Sequence, residues 1–211
     1  SISVRRNEFL VLLGPGQCGK TTFLNIVAGL VKPTSGTIKL DGKTITGTDP
    51  RIAMVFQKTG LYEWKTAMEN TELGLKYRNT TKKDRREIAQ KYLDLVGLHG
   101  FENAYPHALS GGMKQRVGIA RAYAANPESL LMDEPFGALD AQTRYAMEEE
   151  ILRIWETEKR TIIFVTNNIE EAVTLGDRVI QFTERPAKVK RVYDLSTLAR
   201  PRNHVSPSPG V

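Results

Sequence analysis

The 211 residues carry 30 Lys and Arg against 24 Asp and Glu, a net charge of +6, with 40% hydrophobic and 26% charged residues. About 70% of the unfolded surface can be buried at this size, which excludes a disordered chain and points to one domain, or one with an inserted subdomain. The single cysteine, Cys18, excludes an intramolecular disulfide and a secreted disulfide scaffold and favours a reducing compartment. Apolar runs such as Phe9–Leu13 fall far short of the ~20 residues needed to cross a bilayer. The start at Ser, with no basic-then-apolar leader, reads as a processed or cut amino end.

In chain order, Phe9–Leu13 reads as a strand feeding a glycine-rich turn. Phe23, Leu24, Ile26, Val27 and Leu30 then recur at helical spacing, with Gly29 and Pro33 as stop signals. Residues 37–40 and 51–56 read as strands, separated by the turns Asp41-Gly42 and Asp49-Pro50. From 58 to 126 the texture is helical, and Ile88, Tyr92, Leu95 and Val96 share one face. Strands at 129–132, 161–165 and 178–182 then alternate with helices at about 141–158 and 169–175. This order predicts an α/β fold: a mainly parallel sheet forming a RecA-like core over 1–57 and 127–182, an inserted all-helical subdomain over 58–126, and a tail over 183–211. Residues 184–202 supply +4 of the net charge, and 201–211, rich in Pro and Ser, are expected to fray. Lys82, Lys83, Arg85 and Arg86 read as a solvated helix face or as a docking surface. No zinc-ligand spacing or RNA-binding aromatic motif accompanies them, so no nucleic-acid partner is expected.

Gly14-Pro15-Gly16-Gln17-Cys18-Gly19-Lys20-Thr21 fits G-x-x-x-x-G-K-[ST] between an apolar strand and a helix. Glycines let backbone N–H groups curl inward, and the helix amino end adds partial positive charge, so the loop cradles phosphate oxygens. Lys20 is expected to reach the β/γ-phosphates, Thr21 to offer its hydroxyl to Mg²⁺, and Thr22 to lie on the α-phosphate side. Cys18 reads as a small loop residue. Leu130-Leu131-Met132-Asp133-Glu134 ends a strand with two carboxylates, Asp133 for the metal and Glu134 for the attacking water. Ser110-Gly111-Gly112 opens a further helix; it is either an anion-binding start or an ordinary N-cap. Two such starts in one domain suggest two subunits sharing nucleotides across an interface.

The set formed by 14–22, Gln57, 109–115, 130–134 and Ala138-Leu139-Asp140 resembles the ATPase subunits of ABC transporters, in that family's order and over nearly the whole chain. The resemblance implies ATP and Mg²⁺ as ligands, held between two ATPase subunits paired as like with like or as different chains. It implies that Gln57 links metal and transporter, that 109–115 act on the partner's ATP, and that Asp140 is the D-loop aspartate. Residues 136–144, Arg185-Pro186 and Arg200-Pro201-Arg202 further resemble the nitrate/sulfonate/taurine importer group. That implies transmembrane permease subunits as partners, an external solute-binding protein indirectly, and a peripheral place on the cytoplasmic face of the inner membrane. Leu61, Tyr62, Glu63 and Trp64 lie where the family docks its permease, although Tyr62 and Trp64 also suit the core of the helical block.

Three departures stand out. Asn167 occupies the family's histidine position; Asn hydrogen-bonds a γ-phosphate but carries no proton, which predicts a slow or degenerate site. Gln17 replaces the family's middle glycine. The family's adenine-stacking aromatic sits on a loop that would lie before Ser1, so either the amino end, with its first strand, is missing or adenine is held differently. The readings are therefore an ATP-hydrolysing importer subunit, with Glu134, Lys20, Gln57 and Asn167 as the reacting set, or a regulatory subunit that binds nucleotide with little hydrolysis. An ABC protein of DNA repair or translation lacks support, because neither a long coiled-coil insertion nor a second cassette is visible. His99, His107 and His204 are scattered and read as structural.

Overall fold

Phe9, Leu10, Val11 and Leu12 are all fully buried, so β1 (Phe9–Leu13) must be covered on both faces, as in a central strand of an α/β sheet. The computed structural model describes residues 1–137, 139–198 and 200. Alternation along β1 sends Phe9 and Val11 to one core cluster and Leu10 and Leu12 to the other. α1 (Lys20–Val27) covers the second face with Leu24, while α6 (Ala141–Glu158) and α7 (Ile169–Leu175) cover the first with Ile151, Trp155, Ala172 and Leu175.

The remaining strands of this sheet are β4 (Ile52–Val55), β5 (Ser129–Asp133), β6 (Thr161–Thr166), β7 (Arg178–Phe182) and β8 (Val189–Asp194). Their order is β4-β5-β6-β1-β7-β8, parallel except for β8, which runs antiparallel to β7. Between β4 and β5 the chain forms α2 (Ala67–Thr71), α3 (Leu73–Tyr77), α4 (Lys82–Leu95) and α5 (Gly111–Ala124), with a 3₁₀ turn at Pro106–Ala108. α4 buries Ala89, Tyr92 and Leu93, and the Tyr92 ring lies 6.0 Å from that of Tyr123 on α5. Trp64 is 70% exposed and Tyr62 41%, their rings 5.0 Å apart, so both belong to the surface and the core reading of this pair does not hold.

Elsewhere the structure departs from the expected elements. Residues 41–50 were expected as turns between two strands, but β2 (Ile38–Leu40) pairs with β3 (Lys43–Ile45) as a hairpin. Asp41 at φ 49° and Gly42 at φ 78° form the two-residue left-handed turn that matches strand twist. The first helix stops at Val27, short of Leu30, because Gly29 turns left-handed at φ 74°, where an added Cβ would stand 2.0 Å from the Gly47 carbonyl oxygen. Residues 183–211 were expected as a tail, yet 189–194 make the edge strand β8. All six of its residues are exposed, and Lys190 and Arg191 place part of the basic excess on a sheet edge, where charge discourages pairing with other chains. Ala138, Pro201, Arg202, His204 and the rest of 201–211 lie outside the described residues.

Glu148 sits on the buried face of α6, 2% exposed; burial first, and the neighbouring Glu171 second, push its carboxyl up to about 7. The folded state keeps a proton that the unfolded chain releases near pH 4.5. Stability from this group is therefore complete at acid pH and is lost as the pH rises from about 4.5 to 7, by about 3 kcal/mol. In urea unfolding, Glu148→Gln is expected to flatten that slope and to raise the midpoint at pH 8; an unchanged slope refutes the assignment.

Candidate functional site

Parallel register assembles the site. Leu13 pairs with Thr166, and Asp133 with Val165, so the segments that follow β1, β5 and β6 leave the sheet at one carboxyl edge. Val55 pairs with Met132, which brings the chain through Gln57 off β4 to the same edge. Ligands of open parallel sheets bind in this crevice.

The loop from Gly14 to Gly19 closes over the amino end of α1. A Cβ added at Gly16 or Gly19 would meet nothing within 4 Å, so that face of the loop is open. Gly14 is packed instead: its Cβ would lie 3.2 Å from both Cys18 Sγ and Phe182 Cβ, and Cys18 itself is 5% exposed, filling space beneath the loop. Gly19, at φ 110°, precedes α1 without a side-chain cap, which leaves the first amides of the helix available to an anion. Gln17 holds φ 60°, a left-handed conformation that costs a residue with a side chain about 1 kcal/mol. Gln17→Gly is thus expected to raise stability by up to about 1 kcal/mol, offset in part by unfolded-state entropy, and urea midpoints measure it.

The Lys20 ammonium is buried and donates to the carbonyls of Gly14, at 2.8 Å, and Pro15, at 2.7 Å. It stands 3.6 Å from Glu134 Oε1. The Thr21 hydroxyl donates to Asp133 Oδ1 at 3.1 Å. Burial raises the Asp133 carboxyl, and the bond from Thr21 opposes that. Glu134 is held at φ 42° by its N–H donating to Val165 and its carbonyl accepting from Gly137, a strained backbone of the kind found at working carboxylates. Gln57 faces the same Gly137: its Nε2 lies 3.7 Å, and Glu134 Cβ 4.0 Å, from where a Cβ on Gly137 would be. A cleft of about 470 Å³ opens beside Gln17, Cys18, Gly19 and Lys20, walled by Thr22, Phe23, Ile26 and Phe182. A larger cavity, about 630 Å³, lies between the β2–β3 hairpin and the amino ends of the strands and contains none of these loop residues except Phe23.

Asn167 is exposed in the turn between β6 and α7. Its neighbours are committed locally: Thr166 Oγ1 accepts from the Asn168 N–H at 2.9 Å, and Asn168 Oδ1 caps α7 through Glu170 N, at 2.7 Å, and Glu171 N. The structure groups Ser110, Gly111, Gly112 and Asp140 separately. Ser110 accepts from Met113 N at 3.2 Å as the cap of α5, and a Cβ on Gly112 would stand 2.9 Å from Thr143. Asp140 accepts from the Thr143 N–H and hydroxyl, which hold its carboxyl below the usual range. No hydrogen bond or ion pair among the described residues joins this second group to the Lys20 cluster.

Sequence reasoning passed over Thr166, Arg144 and Glu171, which lie behind Asn167 and Asp140. An acid in the first turn of a short helix reads as ordinary helix polarity, so no local signal marks Glu171. His99 is an exposed neighbour of Asp94, 3.2 Å away, and Glu102, both of which already accept from the Gln90 amide.

The family model described as ABC transporter matches residues 1–137. An uncharacterised ABC transporter ATP-binding protein of Methanocaldococcus jannaschii is 50% identical over 98% of this chain and 77% of its own length. The nitrate import ATP-binding protein of Synechocystis is 46% identical (90% and 72% covered), and the taurine import ATP-binding protein of Roseobacter denitrificans 45% (92% and 73%). A solved dimeric, post-hydrolysis ATP-binding cassette bound to ADP and Pi superposes with a TM-score of 0.80 at 34% identity, covering 92% of this chain and 88% of that one. Its P-loop fold is the one built above from the register of β1, β5 and β6. With half of all positions identical along nearly its whole length to one such protein, the chain belongs to the ABC transporter family, as one of its ATP-binding cassettes.

Proposed function

We propose that this cassette hydrolyses ATP for an importer of small anions of the nitrate or sulfonate kind, working as one of two ATPase subunits against a permease at the cytoplasmic face of the membrane. The observation that carries the reading is the convergence of Lys20, the Thr21–Asp133 pair and Glu134 on the open phosphate loop. The names of the nitrate and taurine relatives support the solute class, and the dimeric neighbour supports pairing. The exposed Tyr62–Trp64 pair supports a permease contact, since aromatic rings of this kind anchor interfaces. No helix among the described residues is long and apolar enough to cross a membrane, and the reading takes a permease and, indirectly, an external solute-binding protein as partners.

The donor set near the loop consists of hard oxygens, the Thr21 hydroxyl and the Asp133 carboxylate, and it fits Mg²⁺, with Gln57 proposed to turn its amide oxygen to the same ion. Bound there, the ion would neutralise charge on phosphate oxygens. Lys20 and the loop amides hold the β- and γ-phosphates; Glu134 accepts the proton of a water whose oxygen attacks the γ-phosphorus, and the bond to the β–γ bridging oxygen breaks to leave ADP and phosphate. Ser110 to Gly112 and Asp140 of one subunit close on the nucleotide of the other. Phosphate release from ATP by the purified chain with its permease, dependent on Mg²⁺, tests the reading; nucleotide binding without release refutes it.

Asn167 favours a second reading, a subunit that closes on nucleotide and hardly hydrolyses it. Asn167→His is expected to raise turnover about tenfold or more by restoring a donor able to carry charge at the γ-phosphate. Equal turnover in a phosphate-release assay would mean that Asn serves there as well as His.

A further inference from the structure

We propose that Glu171 is a positioning residue: buried behind the site, its carboxylate ties the Asp140 loop to the Asn167 turn, so that the two phosphate-facing segments keep one fixed relation. Glu171 is 4% exposed and takes no part in the reacting set. Its Oε2 accepts from the Thr166 hydroxyl at 2.5 Å, and its Oε1 lies 3.6 Å from Arg144 Nε. Arg144, in the first turns of α6, donates in turn to the Leu139 carbonyl at 3.2 Å, the residue before Asp140. Thr166 immediately precedes Asn167, and its carbonyl also accepts from the N–H of Gly14 in the phosphate loop. One carboxylate therefore connects Leu139–Asp140, Thr166–Asn167 and, through Thr166, Gly14.

The energetics of burial agree. A carboxylate removed from water persists only where charged or hydrogen-bonding partners compensate it, and truncating one partner leaves the others buried and unmet. Burial raises the Glu171 carboxyl, while Thr166 and Arg144 hold it down, and the charge of Glu134 is close enough to raise it further. Glu148 shares Arg144, but burial keeps it protonated toward neutrality, which leaves the guanidinium to Glu171. α6 and α7 touch through this link at their amino ends, where both helices begin from a site loop. Misplacing either loop by about an ångström is enough to cost on the order of a hundredfold in rate.

This inference rests on the ATPase reading only for its rate arm. In the full chain, Glu171→Ala is expected to lower kcat about tenfold or more with the KM for ATP within about twofold, because the link sets geometry in the transition state and not ground-state affinity. Glu171→Gln, which keeps an acceptor for Thr166, should recover part of that loss, and Arg144→Met combined with Glu171→Ala should cost no more than the worse single change. Hydrogen exchange gives a readout without turnover: Glu171→Ala and Arg144→Met should each speed amide exchange in both 139–143 and 166–168 while leaving β1 protected. Where Glu171→Ala fails to fold, Thr166→Val carries both measurements, with faster exchange at 139–143 as the diagnostic change, since the Thr166 hydroxyl also accepts from the Asn168 N–H. Inactive wild type with linked exchange changes would sink the ATPase reading and keep this one. Active wild type with exchange altered at only one of the two segments, or with KM rising in step with any fall in rate, overturns the link.

Discussion

Glu134→Gln is expected to lower the turnover of ATP by about 10²–10⁴-fold, the usual worth of a positioned general base, while nucleotide binding persists. The amide keeps the size and one acceptor of the carboxylate but cannot take the proton of the attacking water. Backbone geometry supports the role proposed for Glu134. Its φ of 42° is held by bonds to Val165 and Gly137, and its carboxylate stands 3.6 Å from the Lys20 ammonium. Removing one negative charge beside the phosphates should if anything tighten binding. Single-turnover phosphate release together with fluorescent-nucleotide titration separates the two quantities. A variant that binds and turns over like the wild type would assign proton transfer elsewhere.

Lys20→Met is expected to act on binding itself, weakening affinity for ATP by about a hundredfold. That corresponds to about 3 kcal/mol, near the upper value for one charged hydrogen bond lost. The ammonium donates to the Gly14 and Pro15 carbonyls, at 2.8 and 2.7 Å, which fix it over the loop. Methionine matches its stem and leaves those carbonyls without a donor. A small loss of thermal stability should accompany the loss of affinity, and isothermal titration with ATP and Mg²⁺ measures the latter. Affinity within threefold of the wild type would place the phosphates away from Lys20.

Exposure of Trp64 and Tyr62 resolves an ambiguity that periodicity left open: an aromatic pair in a helical block suits core and surface equally well until packing is known. β3 was hidden for a different reason. Asp41-Gly42 is a strong hairpin signal, but Lys43–Ile45 is short and polar, and only its pairing with Ile38–Leu40 makes it a strand. β8 was missed because an edge strand with all six residues exposed buries nothing and so leaves no alternation to read.

Sequence alone determined the phosphate loop, the strand ending in Asp133 and Glu134, and the parallel α/β order, because each of these depends on residues a few positions apart whose spacing is set by strand and helix geometry. The tertiary structure decided the rest. It set the left-handed backbone of Gln17 and Glu134, brought Gln57 against Gly137, and ran a buried link from Leu139 through Arg144 and Glu171 to Thr166. The physical reason is that such contacts depend on how α6 and α7 lie against one sheet edge, and the free energy that selects that packing comes from burial shared across the whole core.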